Sequence, residues 1–129
     1  MTSEESVPDP SRAIAACLDE ATLKQLIDLD DGGTELLAEL VGLFKEDSPE
    51  RLRALQRSMA EGDAMAASEL AHALKGASGT IGAKRMREIA HSIEKAGKAG
   101  RLDAEVLGWA GELEAAYAEA CAALDAFLG

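Results

Sequence analysis

Apolar residues recur along this chain at intervals of three and four positions, which is the period of a helix and not of a strand. In the longest stretch the apolar stripe runs without losing phase through Pro49: Leu37, Val41, Phe44, Ser48, Leu52, Leu55 and Met59. Since proline removes a helical hydrogen bond and crowds the preceding turn, we expect a kink near Ser48-Pro49 and not a helix end. The pattern predicts an all-α protein.

Five helices follow from the same periodicity and from capping residues between the apolar stretches. The first covers 13–29, with Asp19 able to cap the segment that follows it. The signals that separate the other four are, in chain order, Thr34, Gly62, Asp63, Gly82-Ala83, Gly97, Gly100 and Asp103. We expect Gly97 and Gly100 to loosen the end of the fourth helix.

Short loops between long amphipathic helices make sequential neighbours antiparallel. Helices two to five should therefore form an antiparallel up-down four-helix bundle, with the N-terminal helix packed on one end or side. Residues 1–12 contain two prolines and three acids and are interpreted as a flexible lead, and 13–129 as the bundle domain.

Composition narrows the classes of function. The 129 residues carry 24 acidic against 13 basic side chains, a net charge of −11, which disfavours nucleic-acid binding. Apolar runs of about four residues are too short to cross a membrane, and the polar N-terminus is not a secretory signal. Cys17 and Cys121 fit buried thiols of a cytoplasmic protein, for which we expect a monomer.

Residues 68–83 carry the distinctive chemistry. At 100° per residue, a core stripe of Leu70, Leu74, Ala77 and Ile81 places His72 on the opposite, solvent-facing side. Its neighbours on that side are Ser68, Lys75, Gly76 and Gly79. Helical glycine costs about 1 kcal/mol relative to alanine, so two glycines here favour an open approach for another protein's backbone. A neutral imidazole with a cation at i+3 suits phosphorylation of the ring.

The string His72-Ala73-Leu74-Lys75-Gly76-Ala77-Ser78-Gly79-Thr80-Ile81-Gly82-Ala83 resembles the signature of histidine-containing phosphotransfer (HPt) domains. The resemblance extends over about 18–127 and includes the ELLAELVGLFKEDSPE segment, with its proline, and Gly62-Asp63. It implies a phosphorelay intermediate without kinase activity. The phosphoryl group would pass from a receiver-domain aspartate to Nε2 of His72, and then to another receiver.

The resemblance also assigns roles to neighbours and partners. Lys75 would stabilise the phosphoryl charge, and Gly76 would give the receiver room to approach. The partners would be response-regulator receiver domains, including that of a hybrid histidine kinase. No cofactor or metal site is expected on this chain, and Mg²⁺ is expected on the receiver.

One position departs from the family. Relatives often place glutamine 22 residues after the histidine, where this chain has Glu94. Its carboxylate could accept the Nδ1–H of His72 as a supporting residue, although it would also repel phosphate. Alternatively it is an exposed charge that pairs with Lys98 at i+4.

Basic residues are concentrated after the histidine. The segment from His72 to Arg101 holds seven basic residues and two acids, in an otherwise acidic chain. They would attract an acidic partner, or they form an ordinary solvated helix face. The candidates for this basic surface are Lys84, Arg85, Arg87, Lys95 and Lys98.

Three other classes stay open. A histidine-kinase phosphoacceptor domain would need an acid directly after the histidine, where Ala73 stands. A non-catalytic helical adaptor would keep its activity in His72→Gln. The P1-type phosphoacceptor domain of a chemotaxis-like kinase shares the fold and motif. A second acceptor role for His91 is disfavoured.

Overall fold

A computed structural model describes residues 17–129, which contain five complete helices and no strand. The predicted lead at 1–12, and the predicted start of the first helix at 13–16, lie outside the described residues. The prediction of one continuous helix over 13–29 is wrong, because Leu18 and Asp19 are not helical and Asp19 caps a helix that begins at Glu20. The helices are α1 (Glu20–Leu29), α2 (Glu35–Ala60), α3 (Ala64–Thr80), α4 (Lys84–Lys98) and α5 (Ala104–Leu128). The all-α prediction is confirmed.

Aspartate caps begin three of the helices. The carboxylates of Asp19, Asp63 and Asp103 accept hydrogen bonds from backbone N–H groups in the first turns of α1, α3 and α5. Thr34 occupies the N-cap position of α2 but makes no side-chain cap. Asp30 replaces it, since its carboxylate accepts from the Leu36 N–H at 3.0 Å.

Helix α2 continues through Pro49, and every residue of its predicted apolar stripe is buried. Proline cannot supply the N–H that would bond the carbonyl of Lys45. The Tyr117 hydroxyl from α5 lies 3.5 Å from that carbonyl, and the Tyr117 ring packs 5.2 Å from that of Phe44. The packing of α5 on α2 thus compensates in part for the missing helical bond.

The bundle closes as a ring, because each of α2 to α5 contacts the next and α5 returns to α2. Helix α1 begins against the α3–α4 turn, where the Asp19 N–H donates to the Gly82 carbonyl at 2.7 Å. Gly82 has φ of +73°, and a Cβ there would lie 3.0 Å from the Asp19 carbonyl oxygen. Only glycine satisfies both the turn and this close approach.

The core contains the whole predicted stripe of α2, and the sulfur-containing side chains among residues 17–129 are divided between the core and the surface. Met59 and Met86 fill it, but Met65 is exposed. Cys17 is buried whereas Cys121 is only half-buried, so the expectation of two buried thiols is wrong for Cys121. No helix in the described part of the chain combines the length and apolarity needed to cross a membrane.

Candidate functional site

Helix α3 presents His72 to solvent, with 66% of its side chain exposed. Leu74 and Ile81 are buried as predicted, but Leu70 and Ala77 are only partly covered. The buried face of α3 is centred on small residues, namely Ala67, Ala71 and Ser78. It is rotated by about 70° from the predicted stripe at 100° per residue. The rotation keeps His72 exposed but changes the position of Ser68.

The predicted exposure of Ser68 is wrong. The residue is buried at the α3–α4 contact, and its hydroxyl donates to the backbone carbonyl of Glu94 at 3.2 Å. A Cβ at Gly97 would lie 2.8 Å from the Ala64 carbonyl and 3.0 Å from the Ser68 Cβ. Gly97 therefore allows close packing of the two helices and does not loosen the end of α4. The close packing brings Glu94 under the exposed histidine.

The two glycines beside His72 differ in their surroundings. A Cβ at Gly76 would meet no other atom within 4 Å, so the helix surface is open there. At Gly79 a Cβ would lie 3.3 Å from Cδ of Arg87, whose aliphatic part covers this glycine. Gly76 fits the expectation of steric access, whereas the absence of a side chain at Gly79 makes room for Arg87.

Glu94 lies beneath the histidine with only 3% of its side chain exposed. Its Oε2 is 2.7 Å from Nδ1 of His72, and its Oε1 is 2.6 Å from Nζ of Lys75. Lys98 from the same helix approaches Oε2 at 3.2 Å. Both interpretations of Glu94 were partly right, because it contacts the histidine and also pairs with Lys98. Its predicted exposure in the second interpretation is wrong.

The surroundings keep Glu94 ionised. The hydrogen bond from Lys75 is the largest cause that lowers the pKa of this carboxyl, burial opposes it, and contacts with His72 and Lys98 lower it further. Together they bring the pKa from its ordinary 4.5 to about 2. An ionised carboxylate only accepts hydrogen bonds, so in neutral His72 the proton resides on Nδ1 and the lone pair on Nε2.

Two cations offset the negative charge that was expected to repel phosphate. Lys75 from α3 and Lys98 from α4 both contact the carboxylate, so the net charge of these three side chains is positive. His91 also lies near, with Nδ1 3.9 Å from Oε1 of Glu94 and its side chain exposed. Sequence reasoning did not connect His91 to this site. The i,i+3 spacing of His91 and Glu94 on one helix was the available signal.

The five candidates for the basic surface do not share one face. At 100° per residue, Lys84, Arg87, Lys95 and Lys98 lie within one exposed sector of α4, next to His91. Arg85 lies on the side of α5, where its guanidinium is 2.6 Å from the Glu119 carboxylate. The basic surface beside the histidine therefore contains four of the five residues. Arg85 joins α4 to α5 instead.

The sequence profile of the Hpt domain family matches residues 39–126. This range includes α3, α4 and the whole His72–Glu94 site. The chain belongs to the Hpt domain family. The predicted family resemblance is thereby confirmed, together with the helical-bundle fold.

A solved Hpt structure agrees with this assignment. The crystal structure of histidine-containing phosphotransfer protein B from Pseudomonas aeruginosa PAO1 superimposes with a TM-score of 0.76 at 27% identity. The match covers 86% of this chain and 93% of that chain. A comparison with curated protein sequences gives no match. Within 17–129, no group of three or more His, Cys, Asp or Glu residues is arranged to hold a metal ion.

Proposed function

We propose that this Hpt domain is a phosphorelay intermediate that receives a phosphoryl group on Nε2 of His72 from a receiver-domain aspartate and passes it to another receiver. The observation that carries the proposal is the 2.7 Å contact between Nδ1 of His72 and the ionised Glu94. The contact leaves the nucleophilic lone pair on the other nitrogen of a ring that is 66% exposed.

The proposed transfer is a single displacement at phosphorus. The Nε2 lone pair forms the N–P bond while the P–O bond of the aspartyl phosphate breaks, and its electrons return to the aspartate carboxylate. The ring gains positive charge and keeps its proton on Nδ1, facing Glu94. A buried carboxylate in this position holds the imidazole in the required tautomer and stabilises the charged ring. The reverse displacement on a second receiver restores neutral His72.

Neighbouring residues support the same step. Lys75, one turn after His72 on α3, can offer its ammonium group to the phosphoryl oxygens. The open surface at Gly76 admits the receiver's backbone. The four residues of the basic surface would speed the encounter with an acidic partner in a salt-dependent way.

We place the magnesium ion of the reaction on the receiver. Glu94, the carboxylate at this site, is buried and already accepts from His72 while pairing with two lysines. Hard divalent cations need oxygen ligands that are free to coordinate them. We also propose that the domain has no kinase activity of its own and acts as a monomer. The receiver of a hybrid histidine kinase is the candidate phosphoryl donor.

The test uses receiver domains that have been phosphorylated with labelled acetyl phosphate. Label should pass to this protein as an acid-labile, base-stable adduct, and His72→Gln should abolish it. His91→Gln is the matched control, because His91 is the other histidine and is also exposed near Glu94. Label that persists in His72→Gln, or that is lost only in His91→Gln, would overturn the proposal. If His72→Gln still binds the receiver but takes no label, the substitution has removed phosphotransfer and not binding.

A further inference from the structure

Glu94 contacts two ammonium groups that come from different helices. Lys75 of α3 lies 2.6 Å from Oε1, and Lys98 of α4 lies 3.2 Å from Oε2. The carboxylate is almost fully buried, while 29% of the Lys75 side chain and 67% of the Lys98 side chain are exposed. One buried charge thus has two separate counter-ions.

The two lysines differ in their relation to His72. Lys75 follows it by one turn on the same helix, so its flexible stem can carry the ammonium from Glu94 toward a group on the ring. Lys98 follows Glu94 by one turn on α4 and shares Oε2 with Nδ1 of the histidine. Moving Lys75 away would remove the closest cation from a buried carboxylate. Such a loss is strongly unfavourable unless another cation remains.

We propose that Lys98 takes over from Lys75 as the main counter-ion of Glu94 when His72 is phosphorylated, a counter-ion exchange on the buried carboxylate. Lys75 leaves Oε1 and turns to the phosphoryl oxygens, while Lys98 stays on the carboxylate as its counter-ion. Lys98 is therefore a positioning residue, which acts on the phosphohistidine through Glu94 and Lys75. This inference rests on the proposed function, since it assigns the phosphoryl group to His72. His91, 3.9 Å from Oε1, faces the same carboxylate and is left unchanged in the test.

The experiment phosphorylates the full chain with phosphoramidate, so that no receiver is needed. The lifetime of the phosphohistidine is followed by phosphorus NMR, with the His72 signal identified by its absence from His72→Gln. Lys98→Met should shorten the lifetime several-fold, because Lys75 is then held on Glu94. Lys75→Met should shorten it at least as much, and the double variant should match Lys75→Met alone. Lys98→Arg should restore the wild-type lifetime.

Lys95→Met is the matched control for the lifetime only, because no receiver takes part in that measurement and the basic surface has no role in it. Lys95 is an exposed lysine of α4 with no ion pair among residues 17–129. If Lys98→Met and Lys95→Met have the same lifetime, or if the effects of Lys75→Met and Lys98→Met multiply, the exchange is wrong. Wild-type protein gives a second readout that no folding defect can obscure. Phosphorylation should shift the side-chain nitrogen resonance of Lys75 far more than that of Lys98, and an unmoved Lys75 resonance contradicts the exchange.

The two proposals fail in different ways. If no phosphorylated receiver transfers label to wild-type protein, the relay function is wrong, whereas the chemically phosphorylated protein still reports on the lysines. If transfer proceeds normally and Lys98→Met behaves as Lys95→Met does, only the exchange is wrong.

Discussion

Nδ1 of His72 lies 2.7 Å from Oε2 of Glu94, although the two residues are 22 positions apart and belong to different helices. The contact joins an exposed ring to a buried carboxylate whose charge is maintained by two lysines. A single hydrogen bond therefore links the packing of α3 on α4 to the tautomer of the candidate nucleophile. Predictions about this site can accordingly be tested by stability as well as by phosphotransfer.

The low pKa of Glu94 predicts a specific loss of stability in acid. The folded-state pKa of about 2 lies below the ordinary 4.5, so folding favours the ionised form. This contribution is present above pH 4.5 and is lost as the pH falls toward 2. The shift corresponds to about 3 kcal/mol at most. In urea unfolding, wild type should exceed Glu94→Gln in stability at pH 7, and the difference should shrink between pH 4.5 and 2.

Glu88→Gln is the control for this measurement. Glu88 is exposed on the same helix, and its side chain has no ion pair in the described part of the chain. Its substitution should change the free energy of unfolding little at any pH between 7 and 2. A wild-type advantage over Glu94→Gln that stays constant from pH 7 to pH 2 would show that Glu94 is not held in its charged form.

Ser68→Ala should affect stability and leave phosphotransfer unchanged. The hydroxyl is buried and donates to the Glu94 carbonyl, so its removal should cost about 1 kcal/mol. The smaller side chain still fits between α3 and α4, and the exposed surface near His72 is not altered. Thermal unfolding and the labelled-receiver assay measure the two effects. A variant with normal stability and impaired transfer would instead favour the predicted position of Ser68 beside His72 on the solvent-facing side of α3.

Much of the fold could be predicted because helical periodicity is local. The α2 stripe and the caps Asp19, Asp63 and Asp103 each depend on residues within a few turns. Thr34 is at the predicted N-cap position of α2, but its side chain makes no cap hydrogen bond, because Asp30, six positions before Leu36, accepts from the Leu36 N–H group instead. That choice depends on the path of the loop, which apolar spacing does not describe.

Only the part of the candidate site that lies on a single helix could be predicted from the sequence. His72, Lys75 and Gly76 share a face by their spacing on α3. The burial of Glu94 depends on how closely α4 approaches α3, and Gly97 and Ser68 set that distance. The predicted buried face of α3 was centred on large apolar residues, whereas small residues form the contact between α3 and α4. The orientation of α3 was therefore misjudged, and Ser68 with it.

The glycines at 76 and 97 should respond to alanine in opposite directions. Gly76→Ala adds a methyl group to open space and should stabilise the protein by about 1 kcal/mol, through helix propensity. Gly97→Ala would place its Cβ 2.8 Å from the Ala64 carbonyl, and the cost of separating the helices should exceed the propensity gain. Urea unfolding of both variants measures the difference. Equal stabilisation by the two substitutions would contradict the close α3–α4 contact.

Gly76→Gln should separate folding from phosphotransfer. The longer side chain meets nothing within the protein near its Cβ, so helicity and stability should be retained or slightly raised. It would, however, occupy the surface beside His72 that the receiver must reach, and the rate of label transfer should fall strongly. Phosphorylation of His72 by phosphoramidate, a small donor, should change little. Gly108→Gln on α5 has equally open surroundings on another helix and should transfer normally. If Gly76→Gln also transfers as wild type does, the receiver does not approach over Gly76, and the open surface there needs another explanation.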